Sequence, residues 1–192
     1  MFTKVSKIID QQIILALEIL KNDGVILYPT STVWGLGCSA SSIKAIKKIR
    51  EIKKRGFNHP FIGLIDSEKS IHKYISNAPK KAIEIIKEST FQKTIIYPNS
   101  KKNISNIANQ KNEAALRITN LPYLRKLISM MDSPLVSTSA NISGEKTPVN
   151  FSKISNEIIE KVDMIIKVNV KSTNEPSNII KINTKGEIEE IR

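Results

Sequence analysis

A layered α/β domain built on a mixed β-sheet is the fold class that this chain predicts, on three observations. Helical and strand patterns alternate along it with no linker between them. Several strand candidates lie too close together for a helical crossover, so antiparallel pairs must stand beside parallel ones. With 192 residues, 40% of them hydrophobic, the chain has enough material for one full core, and it reads as a single domain over residues 1–192.

The elements follow in order. Ile9, Ile13, Leu17 and Leu20 recur at helical spacing, with Gly24 as the stop. Residues 25–28 form an apolar run that Pro29 ends, because proline has no amide proton to continue a ladder. Thr30, Ser31 and Thr32 then open a hydroxyl-rich loop, which continues through Gly35, Gly37 and Cys38; its glycines permit positive φ or close approach of the backbone to a ligand. Ser41 or Ser42 caps a helix carrying Ile43, Ile46 and Ile49, and the basic segment 53–59 leads into an apolar run at 61–65. Helices are expected after Ser67 and from Pro79 through Ala82, Ile83 and Ile86, and strands at 94–97 and 114–118. Residues 98–110, rich in Asn, Ser and Lys, read as a flexible loop. Asn120 and Pro122 open a helix through Leu124, Leu127 and Ile128. Strands follow at 135–137, 164–168, 179–182 and 187–191, with a helix near 154–159. There are no internal repeats and no heptads.

Composition excludes several classes of function. Cys38 is the sole cysteine, which rules out an intrachain disulfide, a CxxC pair and a thiolate zinc site, and fits a reducing compartment. Asp10, Gln11, Gln12 and Glu18 interrupt the apolar stretch at 8–20, and no run approaches the roughly 20 residues that a membrane span needs. A soluble, cytoplasmic protein is expected. The net charge of +12 favours polyanions, although part of the lysine excess reflects a composition crowded with Ile and Asn. Aromatic residues make up only 5%, and none interleaves with a basic run as a base-stacking platform requires.

Polar clusters flank the apolar strands: the hydroxyls at 30–32, the basic turn at 53–60 and the loop Ser137-Thr138-Ser139-Ala140-Asn141-Ile142-Ser143-Gly144. Arg117 follows an alternating strand. Strand ends are where open α/β sheets place ligands, and cations with hydroxyl and amide donors suit an anionic, oxygen-rich one. Each cluster also has a plain structural reading. The Ser-Thr-Ser-Ala-Asn run is good helix-cap and turn sequence, and Lys53 and Arg55 are ordinary solvated cations. His59 and His72 are too few for a metal site, and Cys38 is a small packing residue. Gly144-Glu145-Lys146-Thr147 is not a phosphate loop, because Ser139 stands where the leading glycine belongs and Glu145 separates Gly144 from Lys146. No GxSxG elbow surrounds Ser137 or Ser139, and no tight Asp/Glu cluster supplies a metal cage.

Taken together, YPTSTVWGLGCSA at 28–40, the Lys-x-Arg of Lys53 and Arg55, ALRIT at 115–119 and STSANISGEKTP at 137–148 carry a specific resemblance. In family order, over about residues 13–182, they resemble the signature segments of the YrdC/Sua5-type threonylcarbamoyl-AMP synthases, in the short form without the extra C-terminal Sua5 domain. The resemblance implies a twisted mixed sheet flanked by helices, with a basic concave face. It also implies synthesis of L-threonylcarbamoyl-AMP and diphosphate from ATP, L-threonine and bicarbonate or CO2. A partner transferase would then modify adenosine 37 of tRNAs reading codons that begin with A, and direct tRNA contact stays open. Matched by motif position, Thr32, Arg117, Ser137 and Ser177 would hold threonine. Arg55, His59, Ser139, Asn141 and Thr147 would hold ATP, with Lys53 and Arg55 as the catalytic pair. Mg2+ would be held mainly by the ATP phosphates and water.

Two departures from the family pattern stand out. Gly56 and His59 replace the usual Pro and the usual Lys or Asn of the basic turn. Thr90-Phe91-Gln92-Lys93-Thr94 replaces a Trp-Pro-Gly-Pro-x-Thr segment and lacks its prolines and glycine. The alternative from another functional class is a noncatalytic RNA-binding YrdC-like protein. It would use the same basic face without needing a hydroxyl and amide pocket.

Overall fold

The structure is a computed structural model that describes residues 2–56, 59–88, 93–173 and 175–192. Its strands are β1 (Ile26–Tyr28), β2 (Gly35–Gly37), β3 (Ile62–Ile65), β4 (Lys93–Tyr97), β5 (Ala114–Ile118), β6 (Leu135–Ser139), β7 (Met164–Ile165), β8 (Asn178–Ile182) and β9 (Ile188–Glu190). They form one sheet in the order β7-β1-β2-β6-β3-β5-β4-β8-β9. The pairs β1 with β7, β3 with β5 and β4 with β8 are parallel, and the rest are antiparallel. This is the mixed sheet that the spacing of the strands predicts.

Helices α1 (Phe2–Lys21), α2 (Ile43–Lys53), α3 (Ile71–Tyr74), α4 (Lys80–Glu88), α5 (Pro122–Ser129) and α6 (Asn156–Ile159) flank the sheet. Ile13, Ala16, Leu17 and Leu20 bury one stripe of α1, which packs against α5 and β1. After α1, Asp23 takes the left-handed conformation at φ 60°. Gly24 is needed for closeness, since a Cβ there would lie 2.3 Å from Ile19 Cγ2. Ser42 caps α2 by accepting from the Ala45 amide at 2.9 Å, and its own hydroxyl donates to Asp23 at 2.6 Å. Ile46, Ile49 and Ile52 carry the buried face of α2, whereas Ile43 is exposed. Pro122 opens α5, where its missing amide costs nothing.

Three expectations are corrected. Gly35 and Gly37 belong to strand β2 and not to a loop. Neither has positive φ, and both are bare because the Tyr28 ring lies on them. A Cβ on Gly35 would meet Tyr28 Cζ at 3.1 Å, and one on Gly37 would meet Tyr28 Cε1 at 2.7 Å and the Val136 carbonyl at 2.6 Å. Within the expected flexible loop at 98–110, a 3-10 segment at Lys102–Ile107 pins the chain by burying Ile104 and Ile107 completely. The expected strand at 164–168 pairs only at Met164–Ile165. Of the altered segment at 90–94, residues 90–92 lie outside the described residues, as do Phe57 and Asn58 of the basic turn.

Gly37→Ala is therefore expected to destabilise the fold by about 1–3 kcal/mol through overpacking. Urea unfolding of the variant beside wild type measures this.

Candidate functional site

The middle of the sheet turns one face to a cavity of about 300 Å3. Register explains which side chains reach it, because alternate residues of a strand share a face. Gly35 pairs with Ser139, Ser137 with Ile62, Ile62 with Ala115, and Ala115 with Ile96. Gly35, Ser137, Ser139, Ile62, Ala115, Arg117, Ile96 and Ile179 accordingly form the floor. Thr30, Thr32, Arg55, Thr147, Ser177 and Arg192 are among the residues of the walls.

The hydroxyl loop is tightly tied. Thr30 Oγ1 donates to the Val33 carbonyl at 2.7 Å and accepts from the Thr32 and Val33 amides at 3.0 and 3.1 Å. Its proton is thereby committed, so the Thr32 hydroxyl, 2.9 Å away, must donate to Thr30. Thr32 is left with lone pairs to offer the cavity. Ser172 Oγ holds the loop from outside by donating to the Thr32 carbonyl, and the Thr173 amide donates to the Ser31 carbonyl at 2.9 Å.

Arg117 is the decisive side chain. It is 7% exposed, its Nε is buried without a partner, and no Asp or Glu among the described residues lines the cavity with it. Burial weakens its hold on the proton and Arg192 adds repulsion, with only partial relief from the neighbouring Tyr28 phenol. A guanidinium stays charged nonetheless, so the arrangement calls for an anion. Arg55 repeats the theme near the other wall. It donates to the Pro60 carbonyl at 3.0 Å, lies 5.0 Å over the Phe61 ring and leaves its buried Nε unpartnered. Among the described residues, the lining includes no Asp or Glu, and no three His, Cys, Asp or Glu side chains group as a metal site.

Of the residues singled out in the sequence, Thr32, Arg55, Arg117, Ser137, Ser139, Thr147 and Ser177 share this cavity. Lys53, Asn141 and His59 are not part of its lining, and each has a physical reason. Lys54, at φ 51°, ends α2 and sends Lys53 and Arg55 in different directions. Lys53 is 2% exposed and donates to the Ser139 and Asn141 carbonyls at 2.5 and 2.6 Å, which ties the loop after β6 to α2. The Asn141 amide is used inside that loop, donating to the Ile142 and Glu145 carbonyls at 3.0 and 2.7 Å. His59 is exposed, and its carbonyl accepts from Arg50 at 3.1 Å. Cys38 is fully buried, and burial pushes its thiol pKa far up, as suits packing.

Other residues escaped the sequence reading. Arg192 donates to the Ser177 carbonyl at 3.1 Å and brings a third cation to the cavity; its cue was a lone arginine closing an alternating strand. Thr94 bonds the Ser177 hydroxyl at 2.9 Å. Arg50 donates to the Gly56 carbonyl at 2.7 Å and lies 4.7 Å over the face of Phe61, steadying the basic turn. Only the fold reveals Thr94 and Arg50.

A mixed α/β sheet with arginines and hydroxyls around a cavity on its central face, and no Asp or Glu in the described lining, defines an α/β domain with a cationic pocket. The chain belongs to the Sua5/YciO/YrdC family, whose profile, described as telomere recombination, matches residues 18–192. It is 29% identical to the threonylcarbamoyl-AMP synthase of Pseudoalteromonas translucida, over 85% of this chain and 89% of the relative. It is 34% identical to a Methanocaldococcus jannaschii protein provisionally given the same activity, over 86% of this chain and 80% of the relative. The solved structure of P. abyssi Sua5 complexed with L-threonine superimposes with a TM-score of 0.85 at 25% identity, covering 95% of this chain. This chain spans about half (54%) of that protein. E. coli YciO shares the fold, with a TM-score of 0.78 at 22% identity over 95% of this chain and 88% of YciO.

Burial, with repulsion from Arg55, pushes the Lys53 ammonium down to about 8 from 10.5. Between these values the unfolded chain keeps a proton that the folded chain has released. Raising the pH through this window therefore favours the folded state. The wild type is expected to gain stability relative to Lys53→Met between about pH 8 and about pH 10, read from urea unfolding at both.

Proposed function

We propose that this chain is an L-threonylcarbamoyladenylate synthase, a transferase of the nucleotidyltransferase class. It joins ATP, L-threonine and bicarbonate or CO2 into threonylcarbamoyl-AMP and diphosphate. The observation that carries this reading is the buried, unpaired Arg117 in a cavity lined with hydroxyls. An amino-acid carboxylate would neutralise it bidentately. The names of the relatives, and the threonine bound by P. abyssi Sua5, support the same reading.

In this assignment Arg117 takes the threonine carboxylate, Thr32 accepts from the amine or hydroxyl, and Ser137 and Ser177 complete the seat. Arg55 and Arg192, with Ser139 and Thr147, face the nucleotide. Lys53 and Asn141 act at one remove by fixing the loop that presents Ser139. The threonine nitrogen adds to CO2 and loses a proton, giving a carbamate. A carbamate oxygen attacks the α-phosphorus while the bond to the β-phosphate oxygen breaks, and diphosphate departs. The protein's part is to hold the reactants in line and to neutralise developing charge, tasks suited to fixed guanidinium groups.

The lining residues do not fit a protein-held Mg2+ site, since none is a carboxylate. Any Mg2+ would come with the ATP phosphates, and no step here is routed through it. The product would pass to a partner threonylcarbamoyl transferase acting on adenosine 37 of tRNA in the cytoplasm. The charge of +12 would favour direct tRNA contact. No described helix is long and apolar enough to cross a membrane. A noncatalytic RNA-binding role has no need for an isolated arginine sunk among hydroxyls.

Purified protein given ATP, labelled bicarbonate and L-threonine is expected to release diphosphate only when threonine is present. No turnover where an active relative works would overturn the reading. Arg55→Ala is expected to cut diphosphate release about 100-fold with an unchanged circular dichroism spectrum. Arg117→Met is expected to weaken threonine binding about 100-fold or more while raising the urea midpoint, because it removes a buried charge without a counter-ion.

A further inference from the structure

Tyr28 is fully buried, and its hydroxyl has no hydrogen-bond partner. Leaving such a donor unsatisfied is destabilising, so phenylalanine would be the stabler choice at a purely packing position. The surroundings are nevertheless shaped for this ring. Tyr28 pairs with Gly35 across β1 and β2, and the ring runs over the bare backbone of Gly35 and Gly37. The phenol end arrives beside the Ser137 hydroxyl, on the face that carries the cavity, with Arg117 near it. Ser137 is 7% exposed, and its hydroxyl and the Tyr28 phenol, each able to donate or accept, interact at the edge of the cavity without the geometry of a full hydrogen bond.

We infer that Tyr28 is a positioning residue for the threonine seat. Its phenol donates to Ser137 Oγ when the amino acid binds, which turns the Ser137 proton up toward the carboxylate held by Arg117. Tyr28 touches no substrate and acts only through Ser137. Pairing on binding would explain why an unsatisfied donor is retained beneath the one buried arginine that lacks a counter-charge among the described residues. The inference rests on the threonine-binding reading above.

Calorimetric titration of L-threonine, and separately of ATP, into wild type, Tyr28→Phe, Ser137→Ala and the double variant tests it. Tyr28→Phe is expected to bind L-threonine about three- to tenfold more weakly, to bind ATP as wild type does, and to melt at or above the wild-type temperature. In the Ser137→Ala background the Tyr28→Phe change is expected to add no further loss. Unchanged threonine affinity in Tyr28→Phe, a loss that adds fully to that of Ser137→Ala, or parallel losses of threonine affinity, ATP affinity and melting temperature would each overturn the role. Failure of the wild type to bind L-threonine would instead overturn the functional reading on which it rests.

Discussion

A guanidinium set into the middle of a β-sheet with nothing to neutralise it is the constraint around which this molecule is arranged. Arg117 sits on β5, flanked in register by the fully buried Leu64 of β3, so the charge lies where a core residue would normally be. Such a position raises the free energy of the unliganded protein, and the surrounding hydrophobic core has to offset it. The fold leaves the middle of one face open around this residue while packing the rest. The buried guanidinium thereby gives this face a fixed electrostatic preference for an anion.

The chain holds a second buried cation and treats it in the opposite way. Lys53 is as deeply placed, but two backbone carbonyls of the loop after β6 satisfy it. One cation is consumed in holding a loop, and the other keeps its buried Nε without a partner. A like divergence occurs at the end of α2, where the left-handed Lys54 separates the buried Lys53 from Arg55, which lines the cavity, although they are only two residues apart. Charge and spacing could not distinguish these roles, because both residues are basic and belong to one signature.

Much of the architecture was legible because it rests on local rules. Ser42 capped α2, Pro122 opened α5, and the alternating run at 114–118 became β5 with the bounds that its pattern gave. What remained hidden depends on partners far away in the chain. Gly35 and Gly37 look like loop glycines until the Tyr28 ring is seen to lie on them. The polar stretch near 100–110 looks mobile until Ile104 and Ile107 are found at zero exposure. Most of the candidate site residues met in one cavity, and the motif segments carried that information. Lys53, Asn141 and His59 lie outside its lining because of side-chain directions, which residue type alone does not carry.

The parallel pairing of β4 with β8 sets Lys93 against Asn178 and brings Thr94 to Ser177, so one wall of the cavity joins segments more than 80 residues apart. Closing so long a stretch of chain costs entropy, and the wall exists only when both of its ends are in place. A partly folded chain consequently has no complete site, and ligand recognises only the finished molecule. By mass action, occupancy then stabilises the whole domain and not merely its binding loops. The cell's supply of substrate becomes one of the determinants of how long each copy of the protein survives.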